Sequence, residues 1–152
     1  MNLFNNIPLT ASFAALVIAQ VLKVILVLIF DRKVEMFRLS STGGMPSSHS
    51  AAVAALSAAI GYIHGMDSPY FAIAAVFSIV VIYDSIGIRR AAGKHAEILN
   101  SLVEEFSHLW DEGDKPKALK TLLGHTYSQT FVGTLLGVFV GLFACRWDLF
   151  VN

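Results

Sequence analysis

The chain has 152 residues, enough for one domain, and carries no net charge at neutral pH. Apolar residues make up 55% of it and charged residues 14%, well below the roughly 25% of soluble proteins. This composition favours an integral membrane protein, and zero net charge gives a nucleic-acid partner no electrostatic support. The single cysteine, Cys145, leaves no disulfide framework and no Cys/His zinc spacing.

Four apolar segments approach the roughly 20 residues that a membrane-spanning helix needs. They cover residues 10–30, 48–64, 70–88 and 130–147. The second segment is alanine-rich, short and weakly hydrophobic, which also suits a partly buried or re-entrant helix. We therefore predict an all-α membrane bundle of about four spanning helices, forming a single domain over residues 1–152.

Small residues recur at helical spacing in the first and last segments, and such faces allow close helix contact in lipid. They are Ala11, Ala15 and Ala19 in the first segment and Gly133, Gly137 and Gly141 in the last. Packing within one chain and a homodimer interface are both compatible with this pattern.

Basic residues concentrate in two of the loops between the segments. The first loop has three and the third loop has six, which together are nine of the eleven lysines and arginines. The positive-inside rule makes these loops cytoplasmic and places the N-terminus outside. Because the N-terminus has no basic n-region, we expect the first apolar segment to be a spanning helix and not a cleaved signal peptide. Because no arginine- and serine-rich leader is present, we expect a bacterial inner membrane protein.

The third loop shows helical periodicity rather than the composition of a disordered linker. Ile98, Leu102, Phe106 and Leu109 recur at helical spacing, which predicts an amphipathic helix over residues 89–110. Such a helix would lie on the membrane surface or over the site. The sequence "DEGDKP" is a break, and residues 117–123 are predicted to form a second short helix.

The stretch "GGMPSSHS", residues 43–50, introduces the second segment as a helix start. Pro46 suits the first helical position, where no N–H is needed. Gly44 lets the backbone approach a ligand closely, and His49 could donate a proton to it. The amides of Ser47, Ser48 and His49 would then be free to bind an anion, phosphate above all. A capped loop that only leads into a helix fits the same residues.

Other polar residues are expected at the same face of the membrane. Asp84 and the arginines 89–90 follow the third segment, and His125 precedes the fourth. Lys23 is a charge inside the first segment, where polar groups are costly and usually functional. Arg89 and Arg90 suit bidentate phosphate contacts, but neighbours on a helix diverge by about 100°, so one of them is expected in the site. Asp84 could hold a histidine or pair with an arginine.

Three stretches resemble a known family. "GGMPSSHSA", "GHTYSQTFVGTLLG" and "YDSIGIRRAAGKHAEILN" are similar to signatures of the type-2 phosphatidic acid phosphatase and vanadium haloperoxidase superfamily, in its divergent bacterial and plastid branch. The resemblance implies a mostly helical phosphohydrolase that needs no metal and no cofactor. It implies that His125 is the nucleophile and His49 the general acid. It implies phosphate binding by Lys23, Ser47, Ser48 and the adjacent amides.

The chain departs from the superfamily pattern at three places. No Arg-Pro follows Lys23 at the expected distance, and Arg38 is the available substitute. Leu119 stands where the third signature has an arginine; Lys120, Arg89 or Arg90 would supply that charge. Gln129 stands where an acidic residue would orient the nucleophile, and a glutamine cannot stabilise an imidazolium by charge. Asp84 is the alternative for that role.

Two functions therefore fit the sequence. The first is an integral membrane phosphatase for a lipid phosphate such as phosphatidylglycerol phosphate, phosphatidate or a polyprenyl phosphate. The second is a non-catalytic membrane protein that binds or transports an anionic headgroup through the same pocket.

Overall fold

The computed structural model describes residues 5–31, 44–110, 116–121 and 123–151. Its five α-helices are α1 (Ile7–Asp31), α2 (Ser48–His64), α3 (Pro69–Ile86), α4 (Ile88–Glu105) and α5 (Tyr127–Val151), with a short 3-10 turn at Ser107–Leu109. No strand occurs in these ranges. The prediction of an all-α fold is confirmed.

Helix α2 is the centre of the bundle, with α1, α3 and α5 packed around it. Ala15 and Ala19 of α1 form a buried cluster with Ala51 and Ala55 of α2. Helix α5 approaches the same part of α2, since a Cβ on Gly137 would collide with the carbonyl oxygen of Ala51. Both small-residue faces therefore pack within one chain, which was the first of the two arrangements compatible with the sequence pattern.

Within the described ranges, three helices are long and apolar enough to cross a membrane. They lie in the stretches Ile7–Ile29, Pro69–Glu105 and Tyr127–Trp147. Helix α2 has 17 residues, which span about 25 Å and fall short of the roughly 30 Å of bilayer hydrocarbon. The predicted count of four is not confirmed. Because α2 contacts protein on several sides, its alanines serve close packing rather than contact with lipid.

One end of the bundle is defined by three contacts between helix termini. Lys23, near the end of α1, packs against Gly44 just before α2. The Ser47 amide donates to the Gln129 carbonyl oxygen at the start of α5, at 3.1 Å. The His125 amide donates to the Ser85 carbonyl oxygen at the end of α3, at 3.0 Å. The residues that the sequence singles out therefore converge at this end.

The predicted amphipathic helix is present as α4, and Ile98 and Leu102 on its apolar face are exposed. The predicted second helix is wrong, because residues 116–121 are not helical. The Asn100 side chain of α4 accepts from the Leu119 amide at 2.8 Å and donates to the Leu119 carbonyl at 2.9 Å. Leu119 therefore has both of its backbone groups bonded to a side chain of α4 rather than to a helical turn of its own segment.

Candidate active site

Helix α2 begins at Ser48, with Ser47 as its N-cap. The Ser47 Oγ accepts from the Ser50 amide at 3.3 Å and from the Ser50 hydroxyl at 2.9 Å. Pro46 precedes the cap in a cis peptide bond, so its predicted place inside the helix is wrong. The physical reason is that a serine oxygen satisfies an amide of the first turn, which proline cannot do.

The amides at this helix start are only partly free. The Ser47 amide is bonded to the Gln129 carbonyl, so the prediction that it is open to a ligand is wrong. The amides of Ser48 and His49 have no acceptor among the residues that the structure describes. Ser47 is fully buried and Ser48 is 7% exposed. Two amides and the positive end of the helix dipole remain available for an anion.

Lys23 is a buried charge beside this helix start. It is 4% exposed, which excludes snorkelling of its side chain to water. Gly44 has φ +98°, and a Cβ there would lie 3.3 Å from Cδ of Lys23. A glycine at position 44 therefore provides both the backbone conformation and the space for the lysine side chain. The charge of Lys23 acts on the rings of both His49 and His125.

His125 is held by its backbone between two helices. Its amide is bonded to Ser85, and it follows Gly124, which has φ +78°. A Cβ on Gly124 would lie 2.5 Å from the Arg90 amide nitrogen, so the chain passes directly over the first turn of α4. The position of the histidine is therefore fixed without any hydrogen bond from its ring.

The two histidine rings face a common space. Their centroids are 6.5 Å apart and the ring planes are inclined by 56°. His125 is 3% exposed, and neither of its ring nitrogens has a hydrogen-bond partner within the described residues. A buried polar atom without a partner costs about 1–3 kcal/mol. An uncompensated cost of this kind is expected where a ligand supplies the missing partner.

Burial lowers the pKa of His125, and the charges of Lys23 and His49 act in the same direction. The Gln129 side chain and the Gly44 backbone lie near the ring and oppose this shift, but neither reaches a ring nitrogen with hydrogen-bond geometry, and the Gln129 Oε1 is bonded to the Thr126 amide instead. A lowered pKa keeps the imidazole neutral at pH 7, and the neutral form is the one that can act as a nucleophile.

Asp84 pairs with an arginine rather than with a histidine. Its Oδ2 lies 2.6 Å from Nε of Arg89. Both residues line a small cavity of about 20 Å³ together with His49 and His125. Arg90 is not among the residues that line this cavity. Of the two neighbouring arginines, Arg89 is therefore the one at the site.

Gln129 closes a capping box at the start of α5. Its Oε1 accepts from the Thr126 amide at 3.0 Å, and its own amide donates to the Thr126 hydroxyl at 3.4 Å. The pattern T-x-x-Q over residues 126–129 is a sequence signal for this motif. Gln129 therefore has a structural role as the helix cap, which is separate from its position where the superfamily has an acid.

Comparison with known proteins shows which family the chain belongs to. A family model described as the divergent PAP2 family matches residues 4–140. The chain belongs to this family. It is also 43% identical over 151 residues to an uncharacterized membrane protein, YuiD, of Bacillus subtilis (strain 168), covering 93% of this chain and 96% of that protein. No solved structure matches the chain.

Membership of the divergent PAP2 family confirms the resemblance found in the signatures, and the apolar helices agree with an integral membrane protein. Several residues that the resemblance singles out lie together at one end of the bundle: Lys23, Gly44, His49, Asp84, Arg89, His125 and Gln129. Arg38 lies outside the described residues. Leu119 and Lys120 do not line the cavity, so Arg89 is the cation observed there.

One buried residue near the site is not anticipated by any motif. Thr130 is 4% exposed, and its hydroxyl has no hydrogen-bond partner among the described residues. It lies one turn after Thr126 on α5, and the Thr130 amide donates to the Thr126 carbonyl. The only sequence signal is a polar residue inside an apolar run, which is too weak to identify it in advance.

Proposed function

We propose that the protein is a metal-independent membrane phosphatase that hydrolyses a lipid phosphate through a phosphohistidine formed on His125. The observation that carries the proposal is the His125 ring, which is buried, without a hydrogen-bond partner in the described residues, and 6.5 Å from the ring of His49. At this separation both rings can act on one phosphomonoester that binds at the mouth of the space between them. Membership of the divergent PAP2 family supports this reaction class.

In this mechanism neutral His125 attacks phosphorus, and the bond from phosphorus to the ester oxygen breaks. His49 donates a proton to the departing oxygen, so the lipid leaves as an alcohol. A water molecule, deprotonated by His49, then attacks the phosphohistidine and releases inorganic phosphate. Lys23, Arg89 and the amides of Ser48 and His49 stabilise the phosphoryl oxygens.

The role of Asp84 in this proposal is to position Arg89. The bond from Asp84 occupies Nε of the guanidinium, which leaves the terminal N–H groups for two phosphoryl oxygens. The cavity has room for about one water molecule. The phosphoryl group therefore binds at its mouth, where the Arg89 side chain is 51% exposed.

The site lies at one end of the bundle, so a headgroup can reach it while the alkyl chains stay in the bilayer. The concentration of basic residues in the first and third loops supports a cytoplasmic location for this end, in a bacterial inner membrane. Phosphatidylglycerol phosphate, phosphatidate and polyprenyl phosphates all carry the required phosphomonoester at a membrane surface.

The proposal predicts phosphate release by the purified protein in detergent with a chelator present. The measurement is a panel of phosphatidylglycerol phosphate, phosphatidate and a polyprenyl phosphate, with free phosphate as the readout. We expect turnover of at least one member that EDTA leaves unchanged. Failure to release phosphate from every member, by protein that is folded in the same detergent, would contradict the proposal.

A second candidate is a membrane protein that binds an anionic headgroup without turnover. The observation that favours it is Gln129, since the position that would orient the nucleophile has no negative charge and its oxygen is already bonded to the Thr126 amide. Asp84 does not fill that role, because it is paired with Arg89.

Replacing Gln129 by glutamate separates the two candidates. Glutamate keeps the capping box and adds a negative charge near a helix N-terminus, worth about 0.3–1 kcal/mol. The same charge raises the pKa of His125 and stabilises its positively charged forms. Since an orienting carboxylate in a catalytic triad contributes up to ~10⁴ in rate, we expect kcat of Gln129→Glu to rise about tenfold or more.

The pH dependence provides the independent measurement. The acidic limb of kcat/KM moves to higher pH in Gln129→Glu, because the added charge favours the protonated ring. Gln129→Ala is the control, since it loses both the cap and any contact with the ring. A pure binder shows no turnover in any of the three proteins, and an unchanged kcat in Gln129→Glu would contradict a rate limited by the missing charge.

A further inference from the structure

A long apolar groove runs beside the site, between α3 and α5, with α2 as its floor. Its volume is about 600 Å³. The serine hydroxyls in its wall are satisfied within the protein, since Ser57 and Ser78 are bonded to each other at 2.8 Å and Ser78 donates to the Val53 carbonyl at 3.0 Å. The groove therefore offers a nearly hydrocarbon surface.

One end of the groove adjoins the histidine cavity. On α3, Ile82 lines the groove, and Ser85, one turn further, lines the cavity. On α5, a row at four-residue spacing, Thr134, Val138 and Leu142, lines the groove. Thr130 continues this row towards His125, and its buried hydroxyl lacks a partner in the described part of the chain. The groove and the candidate site therefore follow one another along the same two helices.

Phe71 lies at the far end of the groove, with its ring against Gly61. A Cβ on Gly61 would lie 2.9 Å from this ring. From Phe71 to Ile82 the groove extends over about 16 Å of helix. Its apolar walls lead along the same two helices to the histidine cavity, which suits an alkyl chain attached to a phosphate at that cavity.

We propose that this groove binds an alkyl chain of the lipid whose phosphate occupies the site between His49 and His125. The assignment rests on the proposed function. The bilayer is as apolar as the groove, so binding the chain gains little hydrophobic free energy. The groove instead fixes the position of the chain, and through it the position of the phosphate relative to the nucleophile. Ile79 on the rim is 66% exposed, which lets a chain move in sideways from the bilayer.

The direct test is photolabelling of the wild-type protein in nanodiscs of phosphatidylcholine. The probe is the non-hydrolysable phosphonate analogue of dipalmitoyl phosphatidate with a diazirine at the end of one chain, and labelled peptides are mapped by mass spectrometry. We expect label on the α3 and α5 residues that line the groove. The unlabelled phosphonate should compete at least about tenfold better than dipalmitoylglycerol, because the phosphonate in the site anchors the chain.

A matched pair of variants tests the groove itself. Ala75 lines the groove, whereas Ala72 on the same helix is exposed and does not. Since overfilling a packed site costs roughly 1–3 kcal/mol, we expect Ala75→Phe to reduce groove labelling about fivefold or more and Ala72→Phe to leave it unchanged. We also expect Ala75→Phe to lower the turnover of the long-chain phosphatidate more than the turnover of a short-chain, water-soluble analogue.

The outcomes separate the two proposals. Selective labelling without phosphate release by any variant overturns the phosphatase function and supports the groove. Phosphate release together with equal competition by dipalmitoylglycerol overturns the groove, because the bound chain is then an annular lipid only. Should Ala75→Phe fail to fold, the competition experiment on the wild-type protein still decides.

Discussion

His125→Ala loses phosphate release by about 10³-fold or more while keeping the wild-type fold, because it removes the proposed nucleophile. The fold is expected to survive because the position of residue 125 depends on its amide bond to Ser85 and on Gly124, not on the ring. The ring nitrogens have no hydrogen bonds to lose in the described structure. The loss of packing is therefore partly offset by removal of an unsatisfied buried group. We expect the free energy of unfolding to change by about 1 kcal/mol or less.

The alanine variants of the two histidines are expected to differ in which substrates they still hydrolyse. A general acid contributes ~10²–10⁴ in rate, and its contribution shrinks when the leaving group needs no proton. We therefore expect His49→Ala to lose most of its activity on a lipid phosphate but to recover on an aryl phosphate with an acidic phenol. His125→Ala recovers on neither substrate. Quenched reactions of the wild type should contain an acid-labile phosphoprotein that His125→Ala lacks.

His95 provides the matched control. It is an exposed histidine on α4 and does not line the cavity, so His95→Ala should release phosphate at the wild-type rate. If His125→Ala retained more than about a tenth of the wild-type rate, the nucleophile would have to be a different residue. Comparable losses in His95→Ala and His125→Ala would indicate damage to the fold rather than to the chemistry.

The convergence of the polar residues could be predicted because it depends on local signals and on alternating helix direction. Apolar runs locate the helices, and successive helices bring Lys23, His49 and His125 to one end. The choice between Arg89 and Arg90 could not be predicted, because it depends on the path of the chain across α4 at Gly124. Such a path is set by tertiary packing and leaves no periodic signal in the sequence.

The wrong predictions arise where a side chain or a distant carbonyl group satisfies backbone groups that a local pattern assigns elsewhere. Asn100 bonds Leu119 across 19 residues and replaces the predicted second helix. Ser47 caps α2 and excludes Pro46 from it. The Gln129 carbonyl occupies the Ser47 amide, which the sequence leaves open for a ligand. The groove has no sequence signature, because its walls come from three helices whose separation is fixed only in the folded bundle.

Gly137→Ala is expected to destabilise the bundle by about 3 kcal/mol or more. In lipid there is no hydrophobic driving force between helices, so close packing of small residues carries their association. A Cβ at position 137 would collide with the carbonyl oxygen of Ala51, which belongs to the backbone of α2 and cannot move aside like a flexible side chain. Helix α5 would have to shift away from α2 along its whole contact.

Thermal unfolding in detergent, followed by circular dichroism, measures this effect, and Leu135→Phe is the control. Leu135 is 55% exposed on the same helix, so added volume there meets lipid or detergent and should leave the unfolding temperature within a degree or two. Gly133→Ala is a second destabilising variant, because its Cβ would collide with the Ser47 carbonyl oxygen beside the site.

Moving α5 at Gly133 pulls the Gln129 carbonyl from the Ser47 amide, and with it the segment that carries His125. We therefore expect Gly133→Ala to lose more activity per degree of lost stability than Gly137→Ala, because a displacement of about 1 Å can cost 10²-fold in rate. Wild-type unfolding temperatures in both variants would mean that α5 does not approach the α2 backbone this closely. The geometry that brings His125 within reach of His49 would then have to be revised with it.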